Sequence, residues 1–400
     1  MKHISRTVWI LSLVSLFTDA ASEMLYPVMP IYLKSIGFSL VLIGVLEGLT
    51  EATAGLSKGY FGKKSDASGR RVPFVQLGYL MSSVSKPMMG VFAAPLWIFF
   101  ARTLDRLGKG IRTGARDAML SDEATSATKG TVFGFHRSMD TMGAVIGPAI
   151  ALVYLQYFPG QYRPLFFIAF APALLAIGIS LLLKDKQYSV VPNTRPISFF
   201  AFLEYWKVSP ARYRTVVRGL LIFALFNSSD VFLLLRARSV GLNDAQTIML
   251  YIFYNLVFAL CSLPLGMLAD RIGLKRIFVL GLVLFASVYF GMAIGGGLWF
   301  FAALFFVYGL SAAATDGIAK AWITNISDAK DTATAVGTYS GFQSVCALFA
   351  SSLAGLLWTV FGPAVCFTVT GIMTTIVVVY MLRLRSADQS PTASNTILKA

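Results

Sequence analysis

The sequence predicts an all-α polytopic membrane protein, on the basis of its composition and the length of its apolar runs. Hydrophobic residues make up 56% of the 400 residues and charged residues only 13%, whereas a soluble domain carries about 25% charged residues. Apolar runs of about 20 residues, the length that crosses about 30 Å of hydrocarbon, recur from one end of the chain to the other. Because these runs are long and do not alternate between apolar and polar residues, they do not indicate the strands of a membrane barrel.

The apolar runs predict twelve membrane-spanning helices. The first contains Asp19 and Glu23 and is too long for a cleavable signal peptide, so we expect the protein to retain it. The predicted spans cover residues 8–33, 40–61, 73–94, 96–113, 132–158, 164–183, 216–235, 245–268, 277–295, 298–323, 332–361 and 363–384.

The positive charge of the chain is distributed unevenly between the two sides of the membrane. Outside the predicted spans, the side that holds the N-terminus carries twenty Lys and Arg residues, and the other side carries four. Basic residues are enriched in cytoplasmic loops, so both termini are predicted to be cytoplasmic in a multi-pass protein of the cell inner membrane. This placement explains the net charge of +15 without a nucleic-acid partner.

The chain contains an internal repeat. The loop "GKKSDASGRR", which begins at Gly62, resembles "GMLADRIGLKR", which begins at Gly266, and "LWIFF" at Leu96 recurs as "LWFFA" at Leu298. The offsets of 204 and 202 residues are about half the chain, which indicates a duplication. We therefore predict two six-helix domains, residues 1–183 and 216–400 with a short cytoplasmic tail. They are joined by a cytoplasmic linker, 184–215, with a short helix at "FFAFLEYW".

The two repeated loops resemble the signature of the major facilitator superfamily. Ala67 stands where a basic residue is usual, and the second loop has one extra residue. The resemblance covers the whole chain. It implies two pseudo-symmetric bundles that rock around a central site and expose it to one side of the membrane at a time. It also implies a gating role for the loops, in which a carboxylate near a helix N-terminus is favoured. The matching positions are Gly62, Asp66, Gly69, Arg70 and Arg71 in the first loop and Gly266, Asp270, Arg271 and Gly273 in the second.

The fifth span carries a second family pattern, similar to the fifth-helix motif of the superfamily's antiporters. It consists of Gly134, Gly143, Gly147 and Pro148, but Ala151 and the next residue replace the closing glycine pair. The resemblance points to antiport. Small residues also let helices approach closely and Pro bends a helix, so tight packing alone is an alternative explanation.

The fourth span is unusually rich in charge. Its six charged side chains share an arc of about 120° at about 100° per residue, so this face must meet protein or a water-filled cavity. We expect its first four charged residues to line the central cavity and the last two to anchor the helix end at lipid headgroups. In the family's fourth helix, Gln and Gly stand where this chain has its second and third charges. The residues are, in order, Arg102, Asp105, Arg106, Lys109, Arg112 and Arg116.

Other spans supply countercharges. Those in the second half are fewer: Asp230, Asp316 and Lys320. Three interpretations stay open: the charges fix helix packing as ion pairs, the cations bind an anionic substrate group, or a carboxylate such as Asp19, Glu23 or Glu51 carries a coupling proton. In the third, burial favours the neutral form of the carboxyl and a nearby Arg favours the charged form. The first-half candidates are Asp19, Glu23, Glu47, Glu51, His136, Arg137 and Asp140.

These features predict a secondary transporter rather than an enzyme. The chain has only two His residues, no His-Glu-x-x-His motif and no phosphate-binding loop, so neither catalytic residues nor a cofactor are expected. We predict a monomer that exports a small anionic or amphiphilic compound, with H⁺ as the coupling ion. A divalent metal-cation exporter, using paired carboxylates and His136, and a proton-coupled importer of an organic solute are the alternatives.

Overall fold

The computed structural model describes residues 4–186 and 201–384, apart from positions 27, 30, 31, 34, 35 and 39. The side chains of Glu47 and Glu51 lie outside the described part. Regular secondary structure in the described residues is entirely helical. The helices are α1 (Arg6–Leu25), α2 (Leu40–Ser68), α3 (Val72–Val91), α4 (Pro95–Asp122), α5 (Lys129–Tyr157), α6 (Arg163–Ser180), α7 (Ala201–Val208), α8 (Ala211–Phe226), α9 (Val231–Ser239), α10 (Asp244–Ile272), α11 (Leu274–Ile294), α12 (Leu298–Asn325), α13 (Thr332–Phe361) and α14 (Pro363–Arg383).

Local sequence signals determine where several helices begin and end. The hydroxyl of Ser5 caps α1 by accepting a hydrogen bond from the backbone N–H of Val8. Pro lies in the first turn of α3, α4, α6 and α14, where its missing N–H has no intrahelical partner to lose. Gly69 and Gly273, one in each repeated loop, have φ of 64° and 105°. A residue with a side chain rarely adopts such a backbone conformation, so both loop turns require glycine.

The helices confirm the predicted twelve-span architecture, with one difference in the seventh span. Nine stretches of the described chain are long and apolar enough to cross a membrane. The charged helices α2, α3 and α4, which are 29, 20 and 28 residues long, account for the remaining three spans. The predicted span 216–235 is divided into α8 and α9, because the polar run from Asn227 to Asp230 interrupts the helix.

The two halves pack in the same way. In the first half α1 packs against α5 and α6, and α4 against α2 and α3. In the second half α8 packs against α13, and α12 against α10 and α11. The halves meet where α2 contacts α13 and where α5 contacts α10 and α12. This arrangement places the candidate site residues of α1, α4, α5 and α12 around the interface between the halves.

The linker helix α7 lies where the sequence predicts a short helix and packs against α2 and α13. Tyr205 of α7 is buried and meets the ring of Tyr213 edge-on at 5.3 Å. Lys63 of α2 forms an ion pair of 3.6 Å with Glu204. Helix α8 begins at Ala211, inside the predicted linker 184–215, and residues 187–200 lie outside the described part. The exact domain boundaries therefore stay a prediction.

Candidate functional site

The aspartates of the two repeated loops each bind the N-terminus of a helix in the opposite half. The carboxylate of Asp66 accepts hydrogen bonds from the backbone N–H and the hydroxyl of Thr334 at 2.7 and 2.8 Å. Asp270 accepts the equivalent bonds from Thr131 at 2.7 and 2.6 Å, and a third from the N–H of Gly130 at 2.7 Å. A carboxylate at a helix N-terminus is favoured by the exposed N–H groups and the helix dipole. We call this end of the molecule, which carries residues 62–71 and 266–276, the signature end.

The other signature residues have different surroundings. Arg71 is buried and forms ion pairs with Asp66, at 3.5 Å, and with Asp122. Arg70 and Arg271 have exposed side chains, which suits contact with lipid headgroups. Arg71 therefore holds Asp66 in place from within the first half, and Asp66 makes the contact with the second half.

Glycines let the main chains of the two halves touch at the signature end. A Cβ atom at Gly62 of α2 would collide with the backbone carbonyl of Ala333 at the start of α13. A Cβ at Gly266 of α10 would collide with the carbonyl of Gly130 of α5 in the same way. The collisions involve backbone atoms, which cannot move away by a change of rotamer as a flexible side chain can.

Gly62→Ala is therefore expected to push α2 away from α13 and to open the signature end. Distances between spin labels at Arg70→Cys and Lys330→Cys, in protein without its native cysteines, measure this opening. We expect a longer, broader distance distribution for Gly62→Ala. Gly178→Ala is the matched control, since a Cβ at this position in α6 meets nothing within 4 Å. An unchanged distribution for Gly62→Ala would contradict the tight backbone contact.

The fifth-span glycines serve two different contacts. Cβ atoms at Gly143 and Gly147 would collide with the backbone of α1, in the same half. A Cβ at Gly134 would lie 2.5 Å from the carbonyl oxygen of Ser262 in α10, across the interface between the halves. Pro148 is inside α5. The motif thus packs α5 closely on both sides, and only Gly134 touches the opposite half.

A central cavity of about 280 Å³ lies between the two halves and is lined mainly by charged side chains. It receives residues from α1, α2, α4 and α5 on one side and from α10, α12 and α13 on the other. Cationic side chains in its wall outnumber acidic ones by six to four. The cations are Lys58, Lys109, Arg112, Arg116, Arg137 and Lys320, and the acids are Asp19, Glu23, Asp140 and Asp316.

Arg112 and Arg116 do not anchor the helix at headgroups, so this expectation is wrong. Both side chains are buried and line the central cavity. Arg112 donates to the hydroxyl of Ser82 at 2.6 Å and lies 4.5 Å from the centre of the Tyr79 ring. Arg116 forms an ion pair of 2.9 Å with Asp117. The reason is that α4 runs to Asp122, nine residues beyond the predicted end of the span, and protein surrounds the added turns.

Arg102 and Asp105 likewise differ from expectation, because they do not line the central cavity. Asp105 forms a buried ion pair of 2.7 Å with Lys86 of α3, and Arg102 is buried nearby. Lys109, two turns further along α4, does reach the cavity, as expected. Arg106, contrary to expectation, does not line the cavity either; it lies between Asp105 and Lys109 along α4 and interacts electrostatically with Asp105 and with Glu23. The charged face of α4 is thus divided between an ion pair with α3 and the cavity.

Arg137 joins the two halves inside the cavity. Its Nη1 donates to Asp140, one turn along α5, at 2.6 Å. Its Nε lies 2.6 Å from the carboxylate of Asp316 in α12, which belongs to the other half. A second ion pair between the halves, of 3.1 Å, joins Lys320 of the same helix to Asp117 of α4. One face of α12 therefore presents an acid and a base, one turn apart, to partners of opposite charge.

Asp140 is also part of a buried polar cluster within the first half. It accepts a hydrogen bond of 2.5 Å from Ser15, and it lines the central cavity together with Asp19 of α1, with which it interacts electrostatically. His136 is buried, with Nδ1 3.4 Å from the hydroxyl of Ser12. Within the described ranges, no group of three His, Cys, Asp or Glu side chains is placed to hold a metal ion. The side chains of Glu47 and Glu51 are not among the described ones.

Sequence reasoning missed two residues that connect the halves. Asp117 is fully buried and pairs with both Arg116 and Lys320. It lies beyond the predicted end of the fourth span and is not among the six charged residues predicted to share one face of that span. Lys58 lines the cavity and donates to the hydroxyl of Ser344 in α13 at 3.3 Å. Asp316 and Lys320 were visible as charges four residues apart in an apolar span, which is a recognisable signal of function.

Known proteins share this fold and this sequence pattern. The family model of the Major Facilitator Superfamily matches residues 11–236 and 219–399. An uncharacterized MFS-type transporter of Methanocaldococcus jannaschii is 32% identical over 365 residues, which cover 90% of each chain. Citrate exporter 1 of Aspergillus niger is 24% identical over 46% of this chain and 35% of its own length.

The fold itself matches that of solved transporters. The crystal structure of the human organic anion transporter MFSD10 (TETRAN) superimposes with a TM-score of 0.76 at 14% identity, covering 94% of this chain and 99% of that one. Identity this low establishes a shared fold alone. The family model, by contrast, matches nearly the whole sequence in two segments, one for each half. The chain therefore belongs to the Major Facilitator Superfamily of membrane transporters.

Proposed function

We propose that the protein is a proton-coupled exporter of a small anionic or amphiphilic compound. The observation that carries this proposal is the position of Arg137, which is shared between Asp140 of its own half and Asp316 of the other half, inside a cavity with an excess of cations. The protein would act as a monomer in the inner membrane with both termini in the cytoplasm, as the uneven distribution of basic residues indicates.

Two cavity cations are well placed to bind an anion. Lys109 and Arg112 line the cavity, and the described residues offer neither of them a carboxylate within 4 Å. A charged group in a partly enclosed site gains from a partner of opposite charge. The name of the Aspergillus relative, a citrate exporter, is consistent with an anionic substrate and with export.

The Asp19 and Asp140 pair supports proton coupling. Two carboxyl groups that lie close together are more stable when they share one proton than when both are charged. When the proton binds, the pair loses negative charge beside Arg137 and Lys109, and these cations become more available to an anionic substrate. Binding of the proton and binding of the anion would then favour each other, since coupling between two ligands is reciprocal. The anion would leave the cell together with its proton, driven by its own concentration gradient, which is symport rather than the antiport that the fifth-span resemblance implies.

The coupling can be measured in vesicles of purified protein that contain a pH-sensitive dye. We expect citrate, used as an impermeant probe, to drive a pH change inside the vesicles, with tighter citrate binding at pH 6 than at pH 8. The amide side chain that Asp140→Asn introduces does not titrate, so the citrate affinity of this variant should change less between pH 6 and pH 8 than that of the wild-type protein, and the linked proton movement should be lost. Glu123→Gln is the control, because Glu123 pairs with Lys186 outside the cavity.

Two results would contradict the proposal. If Asp140→Asn and Asp19→Asn both kept the pH change, the coupling proton would bind elsewhere. If neither citrate nor any other carboxylate bound, the anion assignment would be wrong. Cells that overproduce the protein should retain less of a transported carboxylate, whereas greater retention would favour the import alternative.

A further inference from the structure

A second cavity of about 170 Å³ adjoins the central cavity on the side of the second half. The two share a boundary that includes Arg137, Asp316 and Phe258. Beyond this boundary the wall changes from charged to aromatic, and we call this space the aromatic compartment. Its rings that do not face the central cavity are Phe223, Phe278, Phe285, Tyr308 and Tyr339.

The volume and the wall of the aromatic compartment suit a single ring. An apolar cavity of about 150 Å³ is large enough to hold benzene. Aromatic side chains contact a bound ring in edge-to-face or offset geometry, which adds to the gain from burying apolar surface. The small side chains of Ala224, Ala312 and Thr315 also line the compartment and leave the space open.

The wall of the compartment also carries hydrogen-bond acceptors. At the break between α8 and α9, the carboxylate of Asp230 accepts hydrogen bonds from Tyr308 at 2.6 Å and from Tyr254 at 3.0 Å. The side-chain oxygen of Asn227 also lies at this wall, and it is buried with no hydrogen-bond partner among the described residues. A buried acceptor without a partner is uncommon in native proteins, so a donor supplied by a ligand or a water would satisfy it.

We propose that the substrate is an aromatic carboxylate that occupies both cavities at once. Its carboxylate binds near Lys109 and Arg112, its ring lies in the aromatic compartment, and a hydroxyl or amino group on the ring donates to Asn227. Arg137 lies at the boundary, 4.9 Å from the centre of the Phe258 ring, where it contacts both the charged and the aromatic part of such a ligand. This inference rests on the proposed function, because it specifies the anion that the central cavity binds.

Ligand-observed NMR titrations of the purified protein test this inference with acetate, benzoate, 4-hydroxybenzoate and benzyl alcohol. We expect benzoate to bind at least tenfold more tightly than acetate, and 4-hydroxybenzoate more tightly still. Ala312→Phe fills the aromatic compartment and should remove the advantage of benzoate while leaving acetate binding unchanged. Ala224→Leu, which narrows the same space from α8, is the second variant to use if Ala312→Phe does not fold. It should also reduce the advantage of benzoate over acetate. Lys109→Gln should weaken binding of all three carboxylates.

The matched control is Ala364→Phe, which adds the same ring on the exposed surface of α14 and should change no affinity. Equal binding of acetate and benzoate by the wild-type protein would overturn the aromatic compartment as a binding site and leave the proposed anion transport standing. Equally tight binding of benzyl alcohol and benzoate, insensitive to Lys109→Gln, would overturn the assignment of a carboxylate. Binding of no carboxylate would overturn the proposed function and this inference together.

Discussion

Arg137→Gln is expected to abolish transport and to lower the melting temperature of the protein. The substitution leaves Asp140 and Asp316 without their shared cation. Breaking a fully buried ion pair by removing one partner costs about 3–5 kcal/mol, and we expect a smaller cost here because the side chains of Arg137 and Asp316 are 31% and 34% exposed. Arg137→Lys should recover part of both losses, because a single ammonium keeps the charge but cannot pair with two carboxylates in the same geometry. Transport assays and melting curves on the same preparations measure both effects.

A double-variant cycle identifies which carboxylate matters. Arg137→Gln combined with Asp316→Asn should be more stable than the sum of the single effects predicts, since the second change removes an uncompensated charge. Lys320→Gln is the comparison, because it removes the other ion pair between the halves and leaves Arg137 in place. Strict additivity of the Arg137 and Asp316 variants would show that this pair does not couple the two halves.

Asp66→Asn and Asp270→Asn are expected to shift the protein toward a conformation that is open at the signature end. Each aspartate accepts hydrogen bonds from a helix N-terminus of the opposite half, and a hydrogen bond to a charged group contributes about 1.5–3 kcal/mol. Asn keeps one acceptor oxygen but loses the charge. Spin-label distances across the signature end should therefore lengthen in each variant and lengthen further in the double variant.

Asp185→Asn provides a matched control for this prediction. The carboxylate of Asp185 accepts hydrogen bonds from the backbone N–H groups of Arg71 and Val72 at 2.8 and 2.9 Å, so it also caps a helix N-terminus, but it does so from the start of the linker and not from the opposite half. We expect it to lower the melting temperature without changing the distance across the signature end. If all three variants changed this distance alike, the effect would reflect general destabilisation rather than gating.

The sequence was sufficient to predict the architecture, because the signals involved are local or repeated. Apolar runs of a defined length identify spans, and the loops at Gly62 and Gly266 identify the duplication. The repeat also indicated that Asp66 and Asp270 would occupy equivalent environments, and both lie at a helix N-terminus. These inferences need no knowledge of which helices touch.

Features that depend on contacts between distant parts of the chain could not be predicted from one sequence. Hydropathy ended the fourth span at residue 113, because Arg116 and Asp117 are charged, and only their burial by other helices explains why α4 continues. The pairing of Asp117 with Lys320 joins residues about two hundred positions apart, and no spacing rule identifies such partners. The polar run at residues 227–230 is short, so hydropathy averaged over about 19 residues stays apolar across it and does not reveal the break in the helix.

The glycine contacts at the signature end have a thermodynamic consequence. Where Gly62 and Gly337 meet α13 and α2, main chain lies against main chain, so separating the helices exposes peptide groups along with little apolar side-chain area. Exposed apolar area raises the heat capacity and exposed polar area lowers it. Because little apolar area is exposed, the polar contribution offsets the apolar one, so this contact adds little positive heat capacity to the opening and little curvature to its temperature dependence. The transporter would then keep both conformations accessible when its host warms or cools.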